Sequence, residues 1–389
     1  MTKAINNKKI GIIGGGQLGK MMILEGKKMG ISFVILDPVK DCPASSIADE
    51  HIVADFYDVD KIKELAKKCD VITYEFEHIN ADILVELKNE GNIIYPSPAS
   101  LKIIQDKLKQ NQFLEENNFP TANFKNISNI EDIHLAIKEY GLPIMLKSRK
   151  GGYDGKGNFL IKKVENISVA YEELSKASDL LMVEEFVSFE LEISVTVARG
   201  TTGEIKVYPI SENIHRDNIL YTSIIPARVN EEVMQNAKKL ALEIINHIEG
   251  VGVLCVEMFV KDTGEIYVNE IAPRTHNSGH YTIEGCATSQ FMQHIRAILG
   301  LPLGSTDLIR PCVMINLLGE CEHEGKGVMI GAEEALSITD VNIHYYGKTF
   351  TKPGRKMGHI TILGDSVDDA LVKSEKAREL VKIVSDEEV

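Results

Sequence analysis

Positive charge is scarce in this chain of 389 residues. Lys and Arg together number 43 against 57 Asp and Glu, so the formal net charge is −14 at pH 7. An acidic protein is repelled by nucleic-acid phosphates and by anionic membrane surfaces. We therefore expect no nucleic acid and no membrane among its partners. A local basic pocket for a phosphorylated metabolite is compatible with this balance.

Cysteine is also sparse, and its spacing is not that of a metal site. The six cysteines include no Cys-x-x-Cys pair, so we expect small core residues rather than zinc ligands. The chain lacks a run of about 20 apolar residues, which a membrane helix would need. Its first residues are polar and basic and contain no hydrophobic signal core. Together these absences predict a cytoplasmic protein.

Internal repeats and low-complexity tracts are absent, and the first hundred or so residues instead alternate short apolar strands with helical stretches. Such alternation predicts a doubly wound parallel sheet of Rossmann type. The predicted strands are 9–14, 33–36 and 71–74, and the predicted helices are 17–29 and 81–89.

The rest of the chain predicts a mixture of helices and strands. We expect a helix over 100–118, a longer one over 231–247 and a last one from Val367. At ~150 residues per domain, the length allows two to three domains. The β-rich segments are 143–148, 158–162, 181–186 and 190–199. We predict an α/β and α+β chain with a Rossmann-like domain over 1–105, a smaller α+β domain over 106–190 and a C-terminal antiparallel-sheet domain over 191–389.

Two acidic residues occupy facing positions in a predicted hairpin. The apolar runs Val-Gly-Val-Leu-Cys-Val-Glu-Met-Phe-Val and Ile-Tyr-Val-Asn-Glu-Ile-Ala are joined by Lys-Asp-Thr-Gly-Glu, which predicts two strands and a tight turn. If Thr263 and Gly264 form the centre of that turn, Glu257 lies directly opposite Glu270. Two carboxylates opposed on one face of a hairpin repel each other.

The expected surroundings of these two carboxylates predict a bound cation. Cys255, Phe259, Ile266 and Val268 would be their neighbours on the same face, so water gives little relief from the repulsion. Burying unpaired charge is costly, and oxygen-only ligands favour Mg²⁺ or Mn²⁺ over zinc. A solvated hairpin edge with a different register is the alternative interpretation.

The first glycine-rich loop matches a dinucleotide-binding pattern. Gly14, Gly16 and Gly19 have the spacing Gly-x-Gly-x-x-Gly after a predicted strand, and Asp37 closes the next strand about twenty residues on. A P-loop is excluded because Met21 stands where a magnesium-binding hydroxyl would be required. A helix N-terminus with spare amides binds phosphate or carboxylate from any source. The loop therefore leaves NAD, a sugar phosphate and tight packing as alternatives.

A second glycine-rich loop, over 151–157, joins two predicted strands. Its glycines predict a mobile flap whose amides close over phosphates, with Lys147 and Lys156 as countercharges. A plain hairpin loop also needs glycine, but it does not need flanking cations. Phosphate binding is therefore the favoured interpretation.

Three other charged residues have an ordinary interpretation when each is taken alone. Glu184 lies in an apolar strand and Glu192 follows it; the strand backbone could contact an adenine edge while Glu192 accepts ribose hydroxyls. Solvated surface charge is nevertheless the simpler interpretation of both. Lys107 lies in a helical stretch, where a solvated lysine is equally the default.

In this order, the pieces resemble the ATP-grasp superfamily: a Rossmann-like domain, a lysine and glycine-rich flap, an acidic strand and two magnesium carboxylates. Many superfamily members have Asn two residues after the second carboxylate, where this chain has Ala272. The run from Asn269 to His280, Asn-Glu-Ile-Ala-Pro-Arg-Thr-His-Asn-Ser-Gly-His, is similar instead to the purine-biosynthesis branch. Further similar runs are Thr-Tyr-Glu75-Phe-Glu77, Tyr346-Gly-Lys348 and Arg355-Lys-Met-Gly-His359.

The resemblance covers nearly the whole chain and implies an ATP-dependent carboxylase that works as a homodimer. It implies ATP and Mg²⁺ as cofactors, with Mn²⁺ as an alternative, and aminoimidazole ribonucleotide and bicarbonate as partners. Carboxyphosphate is the implied intermediate. The flap over 151–157 would act as a lid that keeps water from it.

The resemblance also implies site residues. The implied catalytic residues are Tyr153, Asp154, Arg274 and His276, and the implied metal ligands are Glu257 and Glu270. The implied ribonucleotide contacts are Gln17, Glu75, Arg274, His276, Asn277, Lys348 and Arg355. The implied ATP contacts are Lys107, Lys147, Gly152, Tyr153, Asp154, Gly155, Lys156, Gly157, Asn158, Glu184, Glu185, Phe186, Val187, Glu192, His215, Asn269 and Glu270.

Three rival functions fit parts of the sequence. A formate-dependent ribonucleotide transformylase would share the ATP-grasp features and differ in its one-carbon substrate. An NAD-dependent oxidoreductase would use the first glycine-rich loop, but it leaves the second loop and the facing carboxylates unexplained. A non-catalytic nucleotide-sensing module is disfavoured by the intact lysines and carboxylates.

Overall fold

A parallel sheet with helices on both faces forms the N-terminal part of the computed structural model, which describes residues 4–152, 157–176 and 178–388. On the second strand, Phe33 and Ile35 pack on one face while Val34 and Leu36 pack on the other, as the alternation of a strand requires. The predicted parallel sheet is confirmed. Strands β1 (Lys9–Ile13), β2 (Ser32–Leu36), β3 (Glu50–Ile52) and β4 (Val71–Tyr74) pair in the order β3-β2-β1-β4, with helices α1 (Gln17–Lys27), α2 (Val59–Lys68) and α3 (Ala81–Asn89).

The single helix predicted over 100–118 is wrong. The structure has two helices, α4 (Pro98–Ile104) and α5 (Lys107–Glu116). The backbone of Asp106 is extended, and its side chain accepts a hydrogen bond from the N–H of Leu108 at 3.1 Å. Asp106 therefore caps a new helix, a role that the hydrophobic spacing of the segment does not reveal.

A second, antiparallel sheet lies beneath two helices. Its strands β5 (Phe124–Ile127), β6 (Ile144–Ser148), β7 (Asn158–Ile161) and β8 (Leu181–Glu185) pair in the order β5-β8-β6-β7, with helices α6 (Ile130–Tyr140) and α7 (Ile167–Ser175). Ile144 and Leu146 on β6 point into the core under these helices. The alternate residues Met145 and Lys147 therefore face the other way, where both line a cavity.

A larger antiparallel sheet organises the C-terminal part, as predicted. Helix α8 packs against it, and Val256 and Met258 lie in the shared core. Glu257 and Phe259 alternate with them and face the cavity. The elements are β9 (Leu191–Arg199), β10 (Ile205–Val207), β11 (Ser211–Arg216), β12 (Ile219–Ile225), α8 (Glu231–Ile248), β13 (Gly252–Val260), β14 (Ile266–Ala272), α9 (Thr282–Gly285), α10 (Gln290–Ile298), β15 (Cys312–Leu318), β16 (Gly325–Ile330), α11 (Ala332–Leu336), β17 (Val341–Tyr345), β18 (Phe350–Thr351), β19 (Lys356–Leu363), α12 (Val367–Leu380) and β20 (Lys382–Ser385).

The strands of this part form two sheets. The larger has the order β14-β13-β9-β11-β12-β15-β19-β17, with β10 beside β9, and the smaller has the order β18-β16-β20. The cysteines are free thiols that pack mainly in the core, as expected, with Cys69 half-buried. In the part of the chain that the structure describes, no helix combines the length and the apolar character needed to cross a membrane.

Candidate active site

One large cavity lies where the three main sheets meet. Its volume is about 1130 Å³, above the ~300–1,000 Å³ typical of a site for one small ligand. Every site residue implied by the sequence lines this cavity, apart from Gly157 and the flap residues 153–156. Tyr153, Asp154, Gly155 and Lys156 lie outside the described residues.

Gly157 closes the base of the second glycine-rich loop rather than lining the cavity. Its carbonyl accepts a hydrogen bond from the N–H of Ser148 at 2.7 Å. Its φ of +89° is a conformation that glycine adopts at little cost. Gly152 and Asn158, on either side of the undescribed segment, do border the cavity.

Glu257 and Glu270 face each other directly across β13 and β14, as predicted. Both carboxylates line the cavity. The alternative of a solvated hairpin edge with a different register is therefore wrong.

The predicted two-residue turn at Thr263 and Gly264 is also wrong. The N–H of Lys261 donates to the carbonyl of Glu265 at 2.9 Å, so the loop consists of three residues, 262–264. Gly264 has a φ of +84°, the left-handed conformation that three-residue hairpin loops place at their last position.

A β-bulge at Asn269 restores the strand register in which Glu257 lies opposite Glu270. Phe259 lies opposite Tyr267, one position short of the predicted Val268. The extra residue in the loop and the extra residue in the strand shift the register in opposite senses and cancel. Val268 and Ile266 consequently pack with the core on the opposite face, and the Tyr267 side chain shares the face of Phe259.

The two carboxyl groups differ in pKa. Burial raises the pKa of Glu257 to about 7, and the adjacent charge of Glu270 adds to the rise. Burial acts on Glu270 in the same direction, but the ammonium of Lys107 outweighs it and lowers the pKa of Glu270. Of two facing acids, one therefore stays ionised while the other resists ionisation.

Lys107 is the cation responsible, and it is not solvated. It is the first residue of α5, its side chain is 16% exposed, and its Nζ lies 2.8 Å from Oε2 of Glu270. Burial lowers the pKa of Lys107, but the charge of Glu270 more than compensates, and the pKa is raised. The break before α5 is what brings this lysine to the cavity.

The facing carboxylates fit a hard divalent cation, since such an ion would relieve their mutual repulsion with oxygen ligands. The Glu257 side chain is 19% exposed and that of Glu270 is 45% exposed, so Glu270 is open to the cavity. Within residues 4–152, 157–176 and 178–388, no group of three or more His, Cys, Asp or Glu is arranged to hold a metal ion. A cation at this pair would need further oxygens from outside the protein. Phosphate oxygens and water are the ligands that Mg²⁺ commonly uses for this.

Lys147 is held at the cavity wall by Glu184. Its Nζ lies 2.5 Å from Oε2 of Glu184, and both side chains are nearly buried. Asn111 donates to the other oxygen of Glu184 at 2.9 Å. Glu184 is thus not solvated surface, and it fixes a lysine that lies opposite Asn158 beside the glycine-rich loop.

Glu192 and His215 form a second polar pair on neighbouring strands. Oε2 of Glu192 lies 3.1 Å from Nδ1 of His215. Burial lowers the pKa of His215, but Glu192 raises it by more, and the result is a raised pKa. Nearby, the rings of Phe189 and Phe259 stack with centroids 4.4 Å apart and give the cavity an apolar wall.

The first glycine-rich loop binds a carboxylate of this same chain. Glu75, just beyond β4, accepts hydrogen bonds from the N–H of Gly16 and, at 2.7 Å, from that of Gly19. Asp37 accepts from Gly15 at 2.8 Å. The amides at the start of α1 are therefore used internally. A dinucleotide pyrophosphate would have to displace a buried carboxylate, which removes the structural basis for NAD.

Arg274 borders the cavity and is held by Glu77, a residue not predicted for the site. The guanidinium NH2 lies 2.8 and 3.0 Å from the two carboxylate oxygens. Burial lowers the pKa of Arg274, but the charge of Glu77 raises it by more. The net pKa is raised, so the arginine stays charged. The only sequence signal for Glu77 was its place two residues after Glu75 in the Thr-Tyr-Glu-Phe-Glu run.

The imidazole of His276 lies beside the carboxylate pair. Its Nε2 is 3.5 Å from Oε1 of Glu257, and its Nδ1 is 2.9 Å from the hydroxyl of Ser278. Burial, reinforced by the charge of Arg274, lowers the pKa of His276 well below its usual value. The ring is therefore neutral near pH 7, and because Nδ1 accepts from the N–H of Ser278, Nε2 is the nitrogen that can donate to a ligand.

Asn277 is oriented by a reciprocal pair of amide hydrogen bonds. Its Nδ2 donates to Oδ1 of Asn316 at 2.9 Å, and Nδ2 of Asn316 donates to Oδ1 of Asn277 at 2.7 Å. Asn316 also donates to the carbonyl of Leu220 at 2.8 Å. Asn316 is thus held by the carbonyl of Leu220, and it in turn holds the Asn277 side chain at the edge of the cavity.

A basic segment completes the cavity opposite α1. The predicted residues Lys348 and Arg355 line it together with Lys352 and Lys356, which were not predicted. Nζ of Lys348 donates to the carbonyl of Lys356 at 2.7 Å. The density of cations between 348 and 356 is the sequence signal that could have identified the other two.

Known domain families match nearly the whole chain. Residues 7–105 match the ribonucleotide synthetase preATP-grasp domain, and residues 112–291 match the ATP-grasp domain. Residues 312–373 match the phosphoribosylaminoimidazole carboxylase C-terminal domain. The resemblance to ATP-grasp proteins and the predicted fold are both confirmed.

Individual relatives extend these matches. The N5-carboxyaminoimidazole ribonucleotide synthase of Bacillus subtilis (strain 168) is 44% identical over 361 residues, which cover 92% of each chain. The crystal structure of the N5-carboxyaminoimidazole ribonucleotide synthetase from Thermotoga maritima is similar, with a TM-score of 0.89 and 48% identity. The match covers 97% of this chain and 100% of the Thermotoga chain. The crystal structure of the Aspergillus clavatus synthase in complex with ADP and 5-aminoimidazole ribonucleotide has a TM-score of 0.89 and 35% identity. That match covers 97% of this chain and 99% of the Aspergillus chain.

Proposed function

Because the chain belongs to the N5-carboxyaminoimidazole ribonucleotide synthase family of ATP-grasp ligases, we propose that it carboxylates 5-aminoimidazole ribonucleotide in purine biosynthesis. ATP would supply the energy and bicarbonate the carbon. The products would be N5-carboxyaminoimidazole ribonucleotide, ADP and phosphate. The observation that carries this proposal is the facing pair Glu257 and Glu270 in one cavity with Lys147 and Arg274.

The proposed reaction has two steps. A bicarbonate oxygen first attacks the γ-phosphorus of ATP, which gives carboxyphosphate and ADP. The exocyclic amine of the ribonucleotide then forms a bond to the carboxyl carbon, directly or after release of CO₂. The bond between carbon and the phosphate oxygen breaks, phosphate leaves, and the amine loses a proton.

The first step requires positioning and charge neutralisation rather than covalent help. Lys147 and Lys107 are pre-oriented cations at the cavity wall, because Glu184 and Glu270 hold them there. Mg²⁺, or Mn²⁺, held by Glu257 and Glu270 would neutralise phosphate charge as well. Removing the mutual repulsion of these carboxylates favours such binding.

We assign the nucleotide to the side of the cavity formed by the sheet β5-β8-β6-β7, here named the lid sheet. The segment after β8 presents Phe186 and Val187 to the cavity, so its backbone would contact the adenine. Glu192 would accept the ribose hydroxyls, with the His215 ring 3.1 Å away from its carboxylate. The remaining proposed ATP contacts are Lys107, Lys147, Gly152, Tyr153, Asp154, Gly155, Lys156, Gly157, Asn158, Glu184, Glu185, Asn269 and Glu270.

We assign the ribonucleotide to the opposite side, between α1 and the basic segment. Lys348 and Arg355 would bind the 5′-phosphate, and the planar fork of Arg274 suits a carboxylate or phosphate. Neutral His276, whose Nδ1 accepts from Ser278, would donate a hydrogen bond to the ribonucleotide through Nε2. The alternative role of proton carrier would require the other tautomer. The other proposed ribonucleotide contacts are Gln17, Glu75 and Asn277, and Tyr153 and Asp154 would order the acceptor and bicarbonate from the flap.

We further propose domains over 1–105, 106–190 and 191–389, and a homodimer in solution. The domain boundaries are supported by the sheets, because the parallel sheet, the lid sheet and the large antiparallel sheet each fall within one of these ranges. Light scattering of the purified protein would test the homodimer, and a monomeric mass would reject it.

A coupled assay of ADP release tests the proposed function. ADP formation should require ATP, Mg²⁺, the aminoimidazole ribonucleotide and bicarbonate, and omission of any one should reduce it to background. Formate in place of bicarbonate should not support the reaction. Activity with formate alone would favour a transformylase, and no ribonucleotide-dependent ADP under any condition would favour a non-catalytic nucleotide sensor.

A further inference from the structure

Gln290, the first residue of α10, holds the backbone of His276 by both of its polar groups. Its Oε1 accepts from the N–H of His276 at 2.9 Å, and its Nε2 donates to the carbonyl of His276 at 2.7 Å. The Gln290 side chain is fully buried. A side-chain amide that pairs with both backbone groups of one residue leaves that residue little freedom to shift or rotate.

Gly279 provides the space for this amide. A Cβ at position 279 would lie 2.6 Å from Oε1 of Gln290, so any larger residue would displace it. The N–H of Gln290 donates to Oγ1 of Thr282 at 2.9 Å, and that hydroxyl donates to the carbonyl of Gly279 at 2.7 Å. The start of α10 and the loop that carries His276 are therefore connected as one unit.

The ring of His276 has little freedom once its backbone is held. Its Nδ1 lies 2.9 Å from the hydroxyl of Ser278 and accepts from the N–H of Ser278 at 3.3 Å. Nε2 is left facing Glu257 at 3.5 Å. A shift of the backbone at 276 would move this nitrogen relative to the cavity, and displacements of about 1 Å in a site can change rates by ~100-fold.

We propose that Gln290 is a positioning residue that sets the location of the His276 imidazole for the carboxylation reaction. This inference rests on the function proposed above. Gln290 does not line the cavity formed by the described residues, so it would act through His276 and not by touching a substrate.

The same helix contains a matched control. Gln293 is also fully buried, and it holds Gly304 in the same way. Its Oε1 accepts from the N–H of Gly304 at 2.7 Å, and its Nε2 donates to the carbonyl of Gly304 at 2.9 Å. Gly304 does not border the cavity that the described residues form. Substituting either glutamine removes a pair of bonds to the backbone of one residue, but only Gln290 holds a site residue. Its Nε2 also lies 3.3 Å from Nδ1 of the buried His280, and the Gln290 variants lose that contact as well.

The test compares Gln290→Glu and Gln290→Met with Gln293→Glu and Gln293→Met. Glutamate replaces the donor Nε2 by an acceptor that faces a backbone carbonyl, and methionine removes both bonds without adding charge. We expect the Gln290 variants to lose about 10–100-fold in kcat, with KM for ATP within about threefold of wild type. The Gln293 variants should lose similar stability in urea unfolding and keep kcat within about threefold.

Equal losses of kcat in the two pairs would reject the proposal, and so would Gln290 variants with kcat within about threefold of wild type. If neither Gln290 variant folds, Gln290 serves the fold as a whole, and the proposal is equally rejected. Failure of the proposed function would give a different result, because the wild-type protein itself would then form no ribonucleotide-dependent ADP. The role of Gln290 is tested by comparing the kcat of its variants with that of an active wild type.

Discussion

Nζ of Lys107 lies 2.8 Å from Oε2 of Glu270, which connects the start of α5 to the hairpin that also carries Glu257. The lysine lowers the pKa of Glu270, while burial raises the pKa of Glu257 to about 7. One carboxylate is thus already neutralised by a partner, and the other is destabilised as an anion. A divalent cation would stabilise the ionised form of both.

Replacing Glu270 by Gln should nearly abolish ADP formation. The amide has the shape of the carboxylate and can still accept from Lys107, so the fold should be retained. It lacks the negative charge that binds the cation, and we expect kcat to fall by about 100-fold or more. The coupled ADP assay measures this effect, with circular dichroism to verify folding.

Glu265 gives the control for that substitution, because it lies in the same hairpin at the exposed end and pairs with Lys261. Glu265→Gln should leave kcat unchanged. Wild-type turnover in Glu270→Gln would refute the assignment of Glu270 as a metal ligand.

Replacing Glu75 by Gln should destabilise the protein by roughly 1–3 kcal/mol. The new NH₂ group would face one of the two amides at the start of α1, and a buried donor would lose its acceptor. Urea unfolding measures the change, and the same substitution at exposed Glu86 should alter stability by less than about 0.5 kcal/mol.

Two outcomes would contradict this account of the loop. Unchanged stability in Glu75→Gln would show that the carboxylate does not satisfy the amides of Gly16 and Gly19. Saturable quenching of NADH fluorescence by the wild-type protein would show that the loop accepts a dinucleotide after all.

Local patterns predicted the elements whose ends are set by neighbouring residues. Strand β4 and helix α3 have the predicted bounds, because a short apolar run defines the strand and Asn80 caps the helix by accepting from Ile83 at 3.1 Å. The helix break at Asp106 was missed because its cause includes Arg149, which lies 43 residues away. The hairpin turn was missed because a bulge elsewhere in the strand offset it.

Site residues could be predicted where they belong to a local sequence motif. They could not be predicted where their role depends on a contact with a residue far away in the sequence. Glu257 and Glu270 were found from strand alternation, since both lie in one hairpin. The contact of Lys107 with Glu270 spans 163 positions, and no local pattern carries that information. Glu77 and Gln290 were missed for the same reason, because their importance lies in the residues they hold.

The stability of the protein should fall as the pH decreases from about 6.5 toward 4, in part because of His294. Burial lowers the pKa of His294 from 6.5 to about 4. Its Nδ1 accepts from the N–H of Val253 at 3.1 Å, and its Nε2 lies 2.8 Å from the hydroxyl of Thr73. In this pH range the unfolded chain binds a proton that the folded state excludes, so acid favours unfolding. The contribution is at most roughly 3 kcal/mol.

Urea unfolding at a series of pH values, for wild type and His294→Gln, measures this contribution. The variant should lose part of the slope between pH 6.5 and 4. His247→Gln, at an exposed position near the end of α8, should keep the wild-type slope. Identical slopes in wild type and His294→Gln would contradict the assignment.

The pair of Arg149 and Asp106 connects the base of the second glycine-rich loop to the start of α5. Nε and NH2 of the guanidinium donate to the two carboxylate oxygens at 2.9 and 2.5 Å. The carbonyl of Arg149 also accepts from the N–H of Lys107 at 2.9 Å. Asp106→Asn should destabilise the protein by roughly 3–5 kcal/mol because it leaves a largely buried arginine without its countercharge.

The same substitution should lower kcat, since Lys107 follows Asp106 directly and its placement depends on the ion pair of Asp106 with Arg149. The exposed pair of Lys125 and Glu139 offers the control, and Glu139→Gln should change stability by no more than about 1 kcal/mol.

Burial raises the pKa of Asp106, but Arg149 lowers it by more, and the net pKa is below 3.8. The stabilisation is therefore complete above that pH and is lost as the pH falls below it. Acid unfolding of wild type should consequently begin at a lower pH than acid unfolding of Asp106→Asn, and coincident acid transitions would show that the ion pair does not stabilise this junction.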